Sequence, residues 1–256
     1  MAESKDESTV ENVEVNETVE ETIEETEEQE RIIDPNLQGI QLFYEKNKKM
    51  INYVGGGFLV IVAVVVYWKF FYMPEKEKEA SNEIMWAQKF FDVDSFNIAL
   101  NGNLMVYTAD GQKQMMGFDA ISDEYGMTKN GNLANYYAGI CLLRTGKYEQ
   151  AIEKLEKYNL NDELIAPMAY GAIGDANMEL NRLDEAVKYY LKAAEKNSNN
   201  FTTPYFLKKA AFAYEQKANY AEAMNMYDRL EKEYGKTEIG KEADRQIARL
   251  KALGNL

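Results

Sequence analysis

From Val54 to Tyr72 the chain reads VGGGFLVIVAVVVYWKFFY, with Lys69 its one charge. No polar face interrupts it between Gly55 and Trp68. A soluble core helix of this length carries such a face, whereas a bilayer core takes roughly 20 apolar residues in one helix. The pattern predicts one transmembrane helix over residues 51–73. Lys46, Lys48 and Lys49 mark the edge before it, and Tyr67, Trp68, Phe70, Phe71 and Tyr72 form an aromatic belt at the other. Upstream, Asp34-Pro35 is a helix-start signal, and Leu37, Ile40, Phe43 and Tyr44 share a face. They predict a juxtamembrane helix over 34–50. Pro74 breaks or kinks the chain as it leaves the span.

Beyond residue 74 the pattern becomes helical and repeats itself. GICLLRTGKYEQAIEKLEKY, GDANMELNRLDEAVKYYLKA and AAFAYEQKANYAEAMNMYDRL align, the last with one extra leading Ala. Ala151, Ala186 and Ala223 share a column, and Gly139, Gly174 and Ala211 lie twelve residues before them. Tyr148, Leu183 and Tyr220 lie three before, and Leu155, Tyr190 and Tyr227 four after. Small residues belong where two helices cross closely, and large apolar ones fill the space beside the crossing. Each unit is therefore a helix–turn–helix with its turn near Gly146, Asn181 and Ala218. Ala87, Phe90, Phe96 and Ala99 repeat the offsets as a degenerate earlier unit, followed by an irregular stretch, Asn101 to Gln114, and a short helix, Phe118 to Tyr125. Glu238 to Leu253 reads as a capping helix. The fold class is all-α: one transmembrane helix, then an α-solenoid of about four helix pairs.

The formal charge of −14 is uneven. Residues 1–30 hold twelve Glu, Asp6 and a single Lys. Without aromatics they cannot bury enough surface to offset ordering, so residues 1–33 are expected to be a disordered acidic tail. Val15, Val19 and Ile23 leave open a transient helix that recruits a partner. The body is only mildly acidic and has no basic face suited to nucleic acid. The chain has no His and one Cys, which removes Ser–His pairs, His-type metal sites and any intramolecular disulfide. The acid pairs Asp92/Asp94 and Asp123/Glu124 read as solvated helix ends, and TADGQ at Thr108 to Gln112 as a turn. No catalytic, cofactor or metal constellation emerges, and an enzyme is not expected.

Binding is expected on the first helices of the pairs, which line the concave side of such a stack. By register, Tyr136, Tyr137, Ile140 and Arg144 point there in one unit. Met168, Ala172, Asp175 and Met178 do so in the next, and Tyr205, Lys208, Lys209, Phe212 and Glu215 in the third. Aromatic, Met and Arg side chains are enriched at protein interfaces. Two readings stand: a groove for a protein or peptide, or further core. Gly55, Gly56 and Gly57 either let a second membrane helix approach closely or simply loosen the start of the span.

The repeat pattern resembles the tetratricopeptide repeat, and 167–200 matches it best. Ala218 departs from it at a turn where Gly is usual, and Tyr158 in a normally small column. The chain from about 40 to 252 further resembles the YfgM-like group of membrane-anchored repeat proteins, ancillary to the Sec translocon. The resemblance rests on FYEKNKK before the span, PEKEKEAS after it, LANYYAGICLL and PMAYGAIGDANMEL. It implies an inner-membrane protein with a cytosolic amino terminus and periplasmic repeats, with SecYEG and periplasmic chaperones as partners, and no catalytic residues or cofactor. The counts of nearby basic residues, four before the span and three after, lean the same way. A cell-envelope assembly or division scaffold is the alternative. The carboxylate-clamp form of the repeat is not matched, because Lys208 and Lys209 fall in one unit and Asp175 occupies the previous one.

Overall fold

A computed structural model describes residues 35–108 and 111–254. The expected tail at 1–33 lies outside the described residues. The chain divides into two compact units, Met1–Trp68 and Lys69–Leu256.

In the first unit Pro35–Tyr67 is one helix, α1, so the expected juxtamembrane helix and most of the span form without a break. Every residue from 52 to 68 is exposed. Among the described residues one helix is long and apolar enough, by length and composition, to cross a membrane, and this is it. A Cβ added at Gly55, Gly56 or Gly57 meets nothing within 4 Å.

Residues Trp68–Tyr72 form a π-helical turn, and α2 (Met73–Phe91) follows with Pro74 in its first turn. The chain stays helical from Gly39 to Phe91, so Pro74 does not end the helix, and the wider π-turn lies just before it, where the proline ring crowds the preceding turn. The second unit continues with α3 (Phe96–Asn101), strands β1 (Gly102–Thr108) and β2 (Gly111–Met116), and α4 (Phe118–Glu124). Three helix pairs follow: α5 (Lys129–Arg144) with α6 (Tyr148–Lys157), α7 (Ile165–Glu179) with α8 (Leu183–Glu195), and α9 (Thr202–Gln216) with α10 (Tyr220–Tyr234). The expected capping helix is present in two pieces, α11 (Glu238–Lys241) and α12 (Ala243–Gly254).

The repeat columns have the expected physical meaning. Ala99, Ala151, Ala186 and Ala223 are all fully buried. A Cβ on Gly174 would lie 2.6 Å from the Tyr190 ring, and one on Gly139 would strike Leu155. The large residue four after the alanine thus packs on the small residue twelve before it. Tyr158, in its normally small column, is buried and lies against Tyr136 at 5.9 Å.

Each pair turns through the same device. Gly146, Asn181 and Ala218 take φ of 76°, 55° and 55°, and Asp94 takes 56° between α2 and α3. In every case the amide of that residue donates to the carbonyl three back, and the next amide to the carbonyl five back from itself. Examples are Asp94 to Phe91 and Ser95 to Phe90, and Ala218 to Glu215 and Asn219 to Tyr214. This is the Schellman closure of a helix end, which requires a left-handed residue. The degenerate first unit is therefore a true member of the series, with Asp94 five residues before Ala99 as Gly146 is before Ala151.

The stretch 101–114, expected to be irregular, is largely a β-hairpin. β1 and β2 pair antiparallel, with Val106 opposite Lys113 and Thr108 opposite Gly111. Val106 and Met115 face inward, while Met105 and Tyr107 are exposed. At its base Gly102 and Gly117 touch through backbone, and a Cβ on Gly102 would meet the Gly117 nitrogen at 2.5 Å. Lys113 pairs with the buried Glu83 of α2 and pins the hairpin to the stack.

The turn device ranks three substitutions. Alanine at positive φ costs roughly 1 kcal/mol that glycine does not, less glycine's extra unfolded-state entropy. Ala218→Gly is expected to raise stability by about 0.5–1 kcal/mol, Asp94→Gly by less, and Asn181→Gly by little, since Asp and Asn tolerate this region. Urea unfolding followed by circular dichroism measures the order. Destabilisation by Ala218→Gly would refute it.

Candidate functional site

A groove of about 1430 Å³ runs along α5, α7 and α9 as far as α12. The close helix crossings force the first helices of successive pairs side by side, and the residues they do not spend on packing face this space. Tyr136, Ile140 and Arg144 line it from α5, Met168, Ala172, Asp175 and Met178 from α7, and Tyr205, Lys208, Lys209, Phe212 and Glu215 from α9. Tyr137 is not among the lining residues. It stacks on Phe118 at 4.9 Å and meets Phe91 edge-on at 5.0 Å, so for this residue the core reading holds. Arg249 and Gln246 of α12 also line the groove, although they lie outside the repeats that drew attention in the sequence.

Most of the groove's charge is used internally, and in a repeated way. The Asp175 carboxylate accepts the Tyr190 hydroxyl of its own pair at 2.6 Å and the Lys209 ammonium of the next at 2.6 Å. One unit later, Glu215 accepts the Tyr227 hydroxyl at 3.0 Å and a two-pronged contact from Arg249 at 2.8 and 2.7 Å. In both, the cation lies 34 residues beyond the carboxylate. Lys209 also sits 5.2 Å from the Tyr205 ring centre. Lys208 pairs with Glu242 at 3.0 Å. Sequence reasoning offered Lys208 and Lys209 as ligand contacts without their acid partners. The 34-residue offset from Asp175 to Lys209 was the available signal.

What remains unspent is small and chemically mixed. Arg144 is exposed and, among the described residues, has no ion-pair partner. Phe212 and Tyr205 are 51% and 41% exposed on α9. The site has apolar anchors, the Arg144 guanidinium, the Glu179 carboxylate with only the Tyr148 hydroxyl on it, and an otherwise paired ionic floor. Among the described residues no group of three or more acidic, Cys or His side chains is placed to hold a metal ion. The geometry suits non-covalent contact with a chain that brings apolar side chains and an acceptor for Arg144.

Burial pushes the Tyr136 hydroxyl up to about 12; burial and then Glu215 do the same for Tyr227. Burial followed by the Asp175 charge pushes Tyr190 up further. A raised phenol value means the folded state holds its proton longer than the unfolded chain. The stability from these groups is complete below the ordinary value near 10 and is lost as the pH climbs through the folded values. Cys141 is also pushed up to about 12 by burial, and there is no His to titrate at neutral pH. The urea midpoint should therefore be flat between about pH 6 and 9 and fall steeply above about pH 10. A slope across the neutral range would contradict this account.

A family model described as tetratricopeptide repeat matches residues 133–161 and 207–237. These stretches cover most of the first and third pairs after the hairpin. The pair between them, which the sequence pattern ranked as the best match, lies outside both. No curated protein matches the chain. The matched stretches, the shared turn device and the small-residue crossings give the helical stack the architecture of tetratricopeptide repeats, which suggests a scaffold for protein–protein contact.

Proposed function

We propose that the protein is a membrane-tethered scaffold that holds a segment of another protein in the groove formed by α5, α7 and α9. The observation that carries this reading is the pair of exposed aromatics, Tyr205 and Phe212, lining the same groove as Arg144, on a surface where Asp175, Glu215, Lys208 and Lys209 are taken up in internal pairs. Desolvated aromatic and Arg contacts are the usual energetic centre of a protein interface. The occupant is a segment with an apolar face and a carboxylate in reach of Arg144.

The partner and the place come from the resemblance. FYEKNKK and PEKEKEAS flank the span as in the YfgM-like group, which puts the groove in the periplasm beside the Sec translocon, where it receives emerging chains and meets chaperones. In this reading the amino terminus is cytosolic and the membrane is the bacterial inner membrane. Gly55, Gly56 and Gly57, open on the helix surface, are where another membrane helix docks. The second reading, a scaffold for envelope assembly or division, uses the same groove with a different partner.

A photo-crosslinking residue at Gln246 on the groove rim, with the partner identified by mass spectrometry, separates the two readings. Adducts with SecY, SecE, SecG or translocating chains support the first. Outer-membrane or division proteins alone would replace it with the second. Tyr205→Ser with Phe212→Ser should cut crosslinking about tenfold or more with the fold intact, since both side chains are exposed. Unchanged yield would sink the groove. Protease added to spheroplasts should digest the repeats, and full protection would place them in the cytosol.

A further inference from the structure

The first helices of the pairs share one direction, so their amino-terminal ends share one edge of the stack. Hydrogen bonds tie those ends together in sequence. The Glu77 carboxylate, one turn into α2, accepts the Lys129 and Asn130 amides at the start of α5 at 2.6 and 3.1 Å. Asn132 of α5 accepts the Asn159 amide at 3.1 Å, just ahead of α7. The Asp162 carbonyl accepts the Asn197 side-chain amide at 2.8 Å, just ahead of α9.

This edge is chemically unlike the opposite one. Immediately before α5, α7 and α9 stand Met127, Leu164 and Phe201, which are 75%, 50% and 72% exposed. Each loop also carries or adjoins a lysine: Lys129, Lys157, Lys196 and Lys236. None of the four is in an ion pair among the described residues. Counted in the same way, the acids are Glu124, Asp162, Glu163, Glu195 and Glu238, of which Asp162 accepts the Leu164 and Ile165 amides and Glu238 pairs with Lys241. The opposite edge holds the left-handed turns. Val93 is exposed there, Arg182 and Lys217 are paired to Glu149 and Asp184, and Arg144 and Lys147 are in no ion pair among the described residues, so the two edges differ in their apolar tips more than in their free cations.

We propose that the edge bearing Met127, Leu164, Phe201 and the four lysines rests on the headgroup region of an anionic lipid bilayer. The proposal rests on the reading of the apolar stretch as a membrane span. Two observations choose lipid over a protein partner. α2 begins on this same edge directly after the exposed Phe70, Phe71 and Tyr72, residues of the expected interfacial aromatic belt, so the edge is the part of the stack that follows the apolar stretch in the chain. One apolar tip and one unpaired lysine per repeat is also the composition of an interfacial contact, with apolar side chains entering the headgroup boundary and cations meeting anionic lipid. A protein interface would concentrate its apolar area in a central patch, whereas here it is strung out along a row.

The test uses the full chain in nanodiscs of phosphatidylcholine with or without one-third phosphatidylglycerol. Nitroxide labels go on Leu164→Cys, Phe201→Cys and, on the opposite edge, Lys147→Cys. Cys141 is buried, with its thiol pushed up by burial, and leaves labelling to the introduced site. The labels at 164 and 201 should be about threefold or more less accessible to a water-soluble nickel chelate than the label at 147, most strongly with the anionic lipid. Changing Lys129, Lys157, Lys196 and Lys236 together to Ser should remove at least half of that protection. Equal accessibility at all three labels in both lipids overturns the edge contact. Protection that ignores lipid charge and requires two copies per disc assigns the edge to a second copy and also overturns it. A chain that stays out of the discs overturns the span itself, a failure distinct from that of the edge.

Discussion

In each repeat two helices approach so closely that only a hydrogen or a methyl group fits between them. Gly139, Gly174 and Ala211 on the first helices answer Ala151, Ala186 and Ala223 on the second, and Leu155, Tyr190 and Tyr227 close the space beside the crossing. Twelve residues separate the two small positions, and the chain must reverse within that distance. The left-handed residue five before each alanine makes the reversal and satisfies the carbonyls at the helix end. Spacing, turn and crossing are therefore one constraint. It fixes which residues of the first helices are left over, and those residues make the groove.

The left-over faces meet through carboxylates that each serve two pairs. Asp175 and Glu215 take a phenol from their own unit and a cation from the next. A half-buried carboxylate without such partners costs more than its pair returns, so the full set of donors matters more than any single bridge. Because donor and acceptor come from different units, the network also sets how one pair sits on the next. It leaves the groove floor close to neutral. Selectivity then falls to the aromatic anchors and to Arg144, which is in no ion pair among the described residues.

The parts of this arrangement that depend on local spacing were legible in the sequence. The alanine column, the offsets of twelve and four, and the greasy uninterrupted stretch each follow from short-range geometry. Asp94 was read only as part of an acid pair at a helix end, although it lies five residues before Ala99 as Gly146 lies before Ala151. What depended on contacts across the stack was not legible in the same way. Tyr137 looked like a groove residue by register, but Phe91 and Phe118, which claim it, lie in a different unit. The lysines at 208 and 209 looked free because their acids stand 34 residues away. The hairpin was missed for another reason: a short strand pair carries little periodic signal. Its alternation of Leu104 with Val106, and the Asp-Gly step after it, appeared only as a turn.

In the proposed reading of the apolar stretch as a membrane span, the same economy of charge bears on why the groove would be tethered. A floor that has neutralised its own ions gains little from a charged ligand, and two or three exposed anchors on about 1430 Å³ of open groove give modest affinity. Tethering changes that balance without adding a contact. A ligand that is itself membrane-bound, or that emerges at the membrane, meets the groove at an effective concentration in the millimolar range, so weak intrinsic affinity still gives high occupancy and fast release. An edge that held the stack against the bilayer would narrow the volume searched further. Interfacial lysines and single apolar tips suit that role, because they fix a surface without sealing a groove that must open to each new segment.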